Sequence, residues 1–208
     1  MDEARVVVFI DYQNAYRRAR GCFDLEDESH PHGQFQPISL AERIVHKRPG
    51  RTLKGVRIYR GLPESSREPK GYGAARRQAH AWKMDDRTTF LSRALRYPVG
   101  WPSVKAQEKG VDVALAVDFV VMAVRGEYDV GVLLSSDTDL LPALEGVLAL
   151  GGDPYPTAEV ASWQPDSGHG RRLHVRGTSL WCNWLDRSDF ESVKDLRDYN
   201  IVTAATGK

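Results

Sequence analysis

Two short apolar segments constrain the fold of this chain most strongly. They are residues 6 to 10, VVVFI, and residues 129 to 136, DVGVLLSS. Both lack polar alternation and the first is largely β-branched, which is typical of strands buried on both faces of a parallel sheet. Further strand and helix patterns alternate along the chain. The sequence therefore predicts an α/β domain with a mostly parallel central sheet flanked by helices on both faces.

The other predicted elements follow from periodicity and from helix-capping residues. Strands are predicted at 53–61 and 88–97, and helices at 71–84 and 111–126. Ser39 with Glu42 predicts a capping box for a helix that begins near 39, and Ser188 with Glu191 predicts one for a final helix. After residue 136 a helix should begin near Thr138 or Asp139, because Pro142 needs a position in the first turn, and should end at Gly151 and Gly152.

Length, charge and cysteine content limit the class of protein. We expect 208 residues to form a single domain, with a motif core at 5–155 and a C-terminal extension at 156–208 that packs on this core. The net charge of +1 excludes a polybasic chain that binds nucleic acid through overall charge. No segment approaches the length of a membrane span. Two isolated cysteines suggest a reducing compartment, so the predicted location is the cytoplasm.

Aspartates follow the two best strands and begin one helix. Asp11 ends the first apolar segment, Asp137 and Asp139 follow the second, and Asp112 begins the helix at 111. Neighbouring parallel strands present their carboxyl ends to a shared crevice, so these carboxylates should converge. Because converging carboxylates repel one another, a hard cation such as Mg²⁺ or Mn²⁺ would stabilise them. Asp118 lies on another face of the helix and is interpreted as structural or indirect.

Capping offers a simpler interpretation for some of these residues. Thr138 and Asp139 suit a helix N-cap, Asp112 is favoured near a helix N-terminus without any catalytic role, and Asn14 could cap the helix that follows. The metal-site interpretation therefore depends on the set, and above all on Asp11 and Asp137, whose positions at strand ends make a cap less expected.

Three segments together resemble a known family. FIDYQNAY, KGVDVALAVD and LLSSDTDLLPALEGVLALG resemble, in order and spacing, the signature segments of the NYN family, a branch of the PIN-like nuclease superfamily. The resemblance covers about residues 5 to 155. It implies a Rossmann-like PIN fold and a metal-dependent nuclease that most often acts on RNA.

The resemblance also assigns roles to individual residues. It implies that Asn14 orients water, phosphate or a carboxylate, and that Ser135 or Ser136 hydrogen-bonds a phosphate or a ligand. The metal ligands that it implies are Asp11, Asp112, Asp137 and Asp139.

Basic and aromatic residues near the strand ends could bind a single RNA strand, with phosphates on cations and bases on rings. The candidates for substrate binding are Arg17, Arg60 and Lys109. An ordinary solvated helix face explains many of the other basic residues equally well.

The preferred function is a metal-dependent ribonuclease, expected to be an endonuclease, with Mg²⁺ or Mn²⁺ as cofactor and RNA as partner. The alternative is a regulatory module on the same fold that binds nucleic acid or protein without hydrolysis. A phosphatase for small molecules is a third hypothesis. A homodimer and a protein regulator are further expected partners, and no membrane association is expected.

Overall fold

The computed structural model describes residues 3–152 and 156–201. Its centre is a six-stranded sheet in the order β3-β2-β1-β4-β5-β6, in which every pair of neighbours is parallel. The strands are β1 (Ala4–Asp11), β2 (Arg51–Leu62), β3 (Thr88–Ala94), β4 (Val130–Leu134), β5 (Thr157–Trp163) and β6 (Cys182–Leu185). The helices are α1 (Tyr12–Cys22), α2 (Pro37–His46), α3 (Pro69–Trp82), α4 (Val111–Val124), α5 (Leu141–Leu150) and α6 (Arg187–Val193).

Alternate residues of β1 enter two hydrophobic layers, which explains why this segment is apolar at every position. Val6, Val8 and Ile10 pack into the layer that contains α1, α2 and α6. Val7 and Phe9 pack on the opposite side against α4 and α5. The predicted mostly parallel sheet with helices on both faces is therefore confirmed, and the sheet is parallel throughout.

The strand order reverses between β1 and β4, which pair over Val6 to Ile10 and Val130 to Leu134. Helices leave these two strands on opposite faces of the sheet, so a crevice opens beyond their carboxyl ends. Asp11 ends β1, and Ser135 and Ser136 follow β4 directly. The two polar segments singled out in the sequence thus lie side by side.

The predicted capping box of α2 is wrong. The helix begins at Pro37, its N-cap is Gln36, and no side chain caps it. Proline suits a first-turn position because its missing N–H costs no hydrogen bond there. Ser39 and Glu42 therefore lie inside the first turns of the helix, and the Glu42 carboxylate instead accepts a hydrogen bond from Arg87.

The predicted cap of α6 is displaced by two residues. Asp186 is the N-cap and forms a capping box with Asp189, whereas Ser188 and Glu191 do not cap the helix. The reason is tertiary: the buried Asp189 carboxylate also forms ion pairs with α2 through Arg43 and Lys47. The contact of Asp189 with α2 therefore fixes the residue at which α6 begins.

Helix α4 is apolar on more than its buried face. Val111, Leu115, Phe119 and Ala123 face the sheet and are buried. The opposite side exposes a row of four valines, Val113, Val117, Val121 and Val124. The helix therefore has two apolar faces, which is why its sequence contains few polar residues. The sheet covers only one of these faces. Within the described ranges, no helix is long and apolar enough to cross a membrane.

A buried ion cluster joins the C-terminal segment to the rest of the sheet. Glu159 on β5 is 3% exposed and accepts hydrogen bonds from Arg48 at 2.8 Å, from Arg51 at 2.6 and 3.0 Å, and from Asn183 of β6 at 3.0 Å. Burial alone would raise the pKa of Glu159, but the hydrogen bonds from Arg51 and Asn183 outweigh this effect and lower it. The carboxylate therefore stabilises the fold in its charged form.

We expect Glu159→Gln to reduce the free energy of unfolding at pH 7 by about 3 kcal/mol, because it leaves the buried Arg51 without its counter-charge. A carboxyl group with a lowered folded-state pKa stabilises the protein above its unfolded pKa of about 4.3 and loses this contribution as the pH falls. The difference between the two proteins should therefore shrink below about pH 4. Urea unfolding at several pH values measures it, and a pH-independent difference would contradict the ion-pair explanation.

Candidate functional site

Asp11 is the centre of the crevice between β1 and β4. It is 3% exposed and caps α1, with its Oδ1 accepting a hydrogen bond from the Asn14 backbone N–H at 3.2 Å. Its Oδ2 accepts a hydrogen bond from the Ser135 hydroxyl at 2.9 Å. Burial raises the pKa of Asp11 to about 7, the two hydrogen bonds oppose this rise, and the charges of Asp112 and Glu108 add to it. An ionised Asp11 therefore calls for a compensating positive charge.

The segment after β4 is held by a relay of hydrogen bonds. The Ser135 hydroxyl accepts the Asp137 backbone N–H at 3.1 Å, and the Asp137 carboxylate accepts the Asp139 backbone N–H at 3.0 Å. Asp137 is the N-cap of a short 3₁₀ turn, Thr138–Leu140, that leads into α5. The predicted start near Thr138 holds for this turn, whereas the α-helix itself begins at Leu141, and the capping residue is Asp137. Asp11 and Asp137 are thus both caps, contrary to the expectation for strand ends.

Asn14 connects α1 to the end of β4 and does not cap a helix. Its side-chain oxygen accepts hydrogen bonds from the backbone N–H and the hydroxyl of Ser136, both at 3.0 Å. Asp11 takes the capping position that Asn14 could have filled. The two neighbouring serines are therefore divided between two partners, Ser135 with Asp11 and Ser136 with Asn14.

A cavity of about 380 Å³ lies over these residues. Four carboxylates line it, those of Asp11, Glu108, Asp112 and Asp137. Burial raises the pKa of Asp112, and the charges of Asp137, Glu108 and Asp139 raise it further. Besides burial, the charges of neighbouring carboxylates contribute to the raised pKa values of Asp11 and Asp112, so these groups lie close enough to repel one another. We call this space the acidic cavity.

Glu108 is the member of the acidic cavity that sequence reasoning missed. It lies in the loop before α4, and its carboxylate accepts a hydrogen bond from the backbone N–H of Gly61 on β2. A side chain on Gly61 would collide with Glu108, because an added Cβ would lie 2.6 Å from the Glu108 Cγ. The Gly61 position therefore admits the loop that brings Glu108 to the cavity. The sequence offered one signal for Glu108: it lies four residues before Asp112.

Three arginines line the acidic cavity, which gives an acidic centre a basic border. They are Arg17 and Arg18 of α1 and Arg171 of the segment between β5 and β6. The sequence predicted Arg17 for substrate binding. Nothing in the spacing of the sequence pointed to Arg171, which reaches the site only through the fold of the C-terminal segment.

Several predicted site residues lie at the margin. Asp139 and Lys109 are exposed and do not line the acidic cavity, and Arg60 lines the neighbouring one. The Ser135 hydroxyl donates to Asp11, so this residue positions the carboxylate and has no proton left for a phosphate. Asp118 faces away from Asp112 as expected, and it pairs with Arg57 at 2.7 Å.

The donor set suits a hard divalent cation held loosely by the protein. Among the described residues, no three His, Cys, Asp or Glu side chains are grouped so as to hold a metal ion. Mg²⁺ is usually bound through one or two carboxylates, with waters and substrate phosphate completing the shell. Carboxylates that repel one another fit this open type of site, and they do not fit a closed zinc or calcium cage.

The Rossmann-like parallel sheet and the carboxylates at its order reversal define a PIN-like fold. The chain belongs to the NYN domain family, whose model matches residues 5–152, and this is a family of PIN-like nucleases. No curated protein matches the chain. The fold is also similar to the crystal structure of a protein of unknown function from Vibrio parahaemolyticus RIMD 2210633, with 17% identity, a TM-score of 0.47, and coverage of 76% of this chain and 81% of that one.

We expect Ser135→Ala to raise the pKa of Asp11 above about 7, by about one pH unit, because a hydrogen bond to the ionised carboxylate is lost. Ser136→Ala is the matched control, since that hydroxyl contacts Asn14. Carbon-13 NMR of the aspartate carboxyl groups, recorded in EDTA against pH, measures the change. Equal pKa values in the two variants would show that Ser135 does not hold the charged form.

Proposed function

We propose that the protein is a metal-dependent ribonuclease that hydrolyses phosphodiester bonds of RNA in the acidic cavity. The observation that carries this proposal is the convergence of Asp11, Glu108, Asp112 and Asp137, with the pKa values of Asp11 and Asp112 raised, at the reversal of the strand order. Membership of a PIN-like nuclease family supports the same reaction class.

Asp11, Asp112 and Asp137 are the residues that would hold Mg²⁺ or Mn²⁺, with Glu108 beside them. Such a cation, when bound, polarises a phosphoryl oxygen and lowers the pKa of a water molecule that attacks the phosphorus. Asp139 is exposed but close enough to raise the pKa of Asp112, so we assign it an outer electrostatic role in place of direct ligation.

The remaining polar groups position the site and the substrate. Ser135 fixes the Asp11 carboxylate, and Asn14 fixes the Ser136 backbone relative to α1. Arg17, Arg18 and Arg171 border the carboxylates and would bind phosphates on either side of the cleaved bond. Because Arg17 is exposed and near the rim, it can contact a backbone that enters from solvent.

The distribution of charge favours an enzyme over a module that only binds RNA. Four carboxylates at the centre of a polyanion-binding surface would weaken simple binding, because they repel the phosphates. When the site binds a cation, the same carboxylates hold the positive charge that attracts the phosphate. The cytoplasmic location, a homodimer and a protein regulator remain predictions.

Cleavage of an end-labelled, mixed-sequence RNA in Mg²⁺, in Mn²⁺ and in EDTA tests the proposal. We expect cleavage in metal only, and a fall in rate of about 100-fold or more for Asp11→Asn and for Asp112→Asn. Asp118→Asn is the control, since it makes the same substitution on α4 but at a residue that pairs with Arg57.

Each of the other outcomes has a definite meaning. Cleavage that persists in EDTA would contradict a metal-dependent reaction. Binding of RNA without cleavage by folded protein would support the binding module. Hydrolysis of small phosphomonoesters, with RNA left intact, would support the phosphatase.

We expect Arg17→Ala to weaken binding of single-stranded RNA and to reduce the salt dependence of the binding constant. One lost phosphate contact lowers the slope of log K against log salt by about 0.7 for a single strand. Fluorescence anisotropy over a range of KCl concentrations in EDTA measures the slope. Arg125→Ala is the control, because Arg125 is exposed at the far end of α4, at the amino edge of the sheet. Equal slopes for the two variants would show that Arg17 does not contact the RNA backbone.

A further inference from the structure

Two more cavities continue from the acidic cavity along the carboxyl edge of the sheet. The middle one, about 440 Å³, shares Gln13, Arg17 and Glu108 with the acidic cavity. It shares Arg60 and Pro63 with a third, the distal cavity, of about 310 Å³. The shared lining residues show that the three cavities adjoin one another in a row. A row of this kind suits a flexible chain with a charged backbone.

The distal cavity has the size and lining of a site for one flat ring system. Pockets for small ligands begin at about 300 Å³, so this one admits a single nucleoside and excludes a duplex. Gly71, Ala74 and Ala75 of α3 form one side with little side-chain bulk, while the aromatic residues His30 and Tyr199 line the cavity elsewhere. Aromatic rings are the usual stacking partners of unpaired RNA bases.

Buried amide groups in the distal cavity are held in fixed orientations. Gln78 is 3% exposed, and its Nε2 donates to Gln34 Oε1 at 2.6 Å and to the Tyr12 hydroxyl at 3.0 Å. Gln34 Nε2 in turn donates to the backbone oxygen of Arg197 at 3.2 Å. These bonds set which end of each amide is a donor and which is an acceptor. The wall of the cavity is therefore ordered before any ligand arrives.

Arg60 stands at the entrance to the distal cavity. Its Nη1 donates to Gln78 Oε1 at 2.5 Å, and its guanidinium lies 5.4 Å from the centre of the Tyr12 ring. Because a guanidinium carries five N–H donors, most of them remain for another partner such as a phosphate. The charge is thus fixed where the middle and distal cavities meet.

The other charged groups of the distal cavity are acceptors. Glu68 receives the Tyr97 hydroxyl at 2.8 Å on Oε1, and Asp198 is exposed at the rim. Carboxylates accept hydrogen bonds from the exocyclic amino groups of bases, as they do with the N4 amino group of cytosine. Uracil has no amino group and presents a carbonyl oxygen at the same position, which a carboxylate repels.

We propose that the distal cavity binds one unpaired base of the RNA strand, with the adjoining phosphate on Arg60, and that it selects a base with an exocyclic amino group. This inference rests on the proposed ribonuclease function and names its specificity site. Glu68 supplies the acceptor, Tyr199 and His30 supply the stacking surfaces, and the acidic cavity receives the phosphate that is cleaved farther along the strand.

Calorimetric titration of the full chain with tetracytidylate and with tetrauridylate, both in EDTA, tests the site without cleavage. We expect tetracytidylate to bind about 10-fold more tightly. Ala74→Leu fills the distal cavity and should bring the two Kd values within about 2-fold of each other. Ala81→Leu is the matched control, because it makes the same change on α3 at a residue outside the cavity, and it should keep the preference.

Glu68→Gln keeps the size of the side chain and removes its charge, so it tests the assigned acceptor even if Ala74→Leu does not fold. An amide can donate to the uracil oxygen, so this variant should lose the preference for cytosine while its melting temperature stays close to that of the wild type. Equal Kd values for the two oligonucleotides in the wild type, or a preference that survives both variants, would overturn the inference.

Cleavage assays separate this inference from the proposed function. Metal-dependent cleavage without any base preference in binding would support the ribonuclease proposal and contradict the base-binding role of the distal cavity. A base preference that Ala74→Leu abolishes, in a protein that does not cleave RNA, would support the base-binding role of the distal cavity and contradict the ribonuclease proposal.

Discussion

The hydrogen bond between the Ser135 hydroxyl and the Asp11 carboxylate is the contact on which the site depends. It joins the ends of β1 and β4, the two strands at which the sheet order reverses. A buried carboxylate is costly without partners, and Asp11 obtains them from the first turn of α1 and from the residue after β4. Satisfying one carboxylate therefore fixes where α1 begins and how the chain leaves β4. Within residues 3–152 and 156–201, no basic side chain forms an ion pair with Asp11, and a metal ion could supply the missing counter-charge.

Capping and metal binding are therefore compatible uses of the same carboxylates. A cap uses lone pairs of the carboxylate to accept backbone N–H groups, and each oxygen retains capacity for another partner. Asp11 and Asp137 are both N-caps, so the backbone holds them in place while they face the acidic cavity. Long side chains such as Glu would need further contacts to be held as well, and Glu108 has one in the Gly61 backbone N–H. Two of the four acids of the cavity are thus held in place because they also cap helical turns.

The sequence was informative where local pattern and tertiary environment agree. The buried strands β1 and β4 could be predicted because short apolar segments bounded by polar residues, the first of them β-branched, are typical of strands buried on both faces, and Asp11 and Asp137 follow from the strand ends. Helix starts could not be chosen reliably, because several capping residues lie within three positions and tertiary contacts decide among them, as Asp189 does through Arg43 and Lys47. Glu108 and Arg171 escaped prediction because loops without periodicity bring them to the acidic cavity.

Under the proposed function, the segment after β5 would add substrate contacts to a core shared with the family. The family match ends at residue 152, whereas Arg171 borders the acidic cavity and Tyr199 lines the distal one. Tyr199 is held there by two bonds: its hydroxyl donates to Asp195 at 2.6 Å, and its backbone oxygen accepts from Arg77 of α3 at 2.8 Å. Since Glu159 and Asn183 tie β5 to β6, the positions of these residues depend on the sheet itself. Chemistry would then reside in the matched core, and residues outside it would add to the substrate contacts that Arg60 and Glu68 of the core supply.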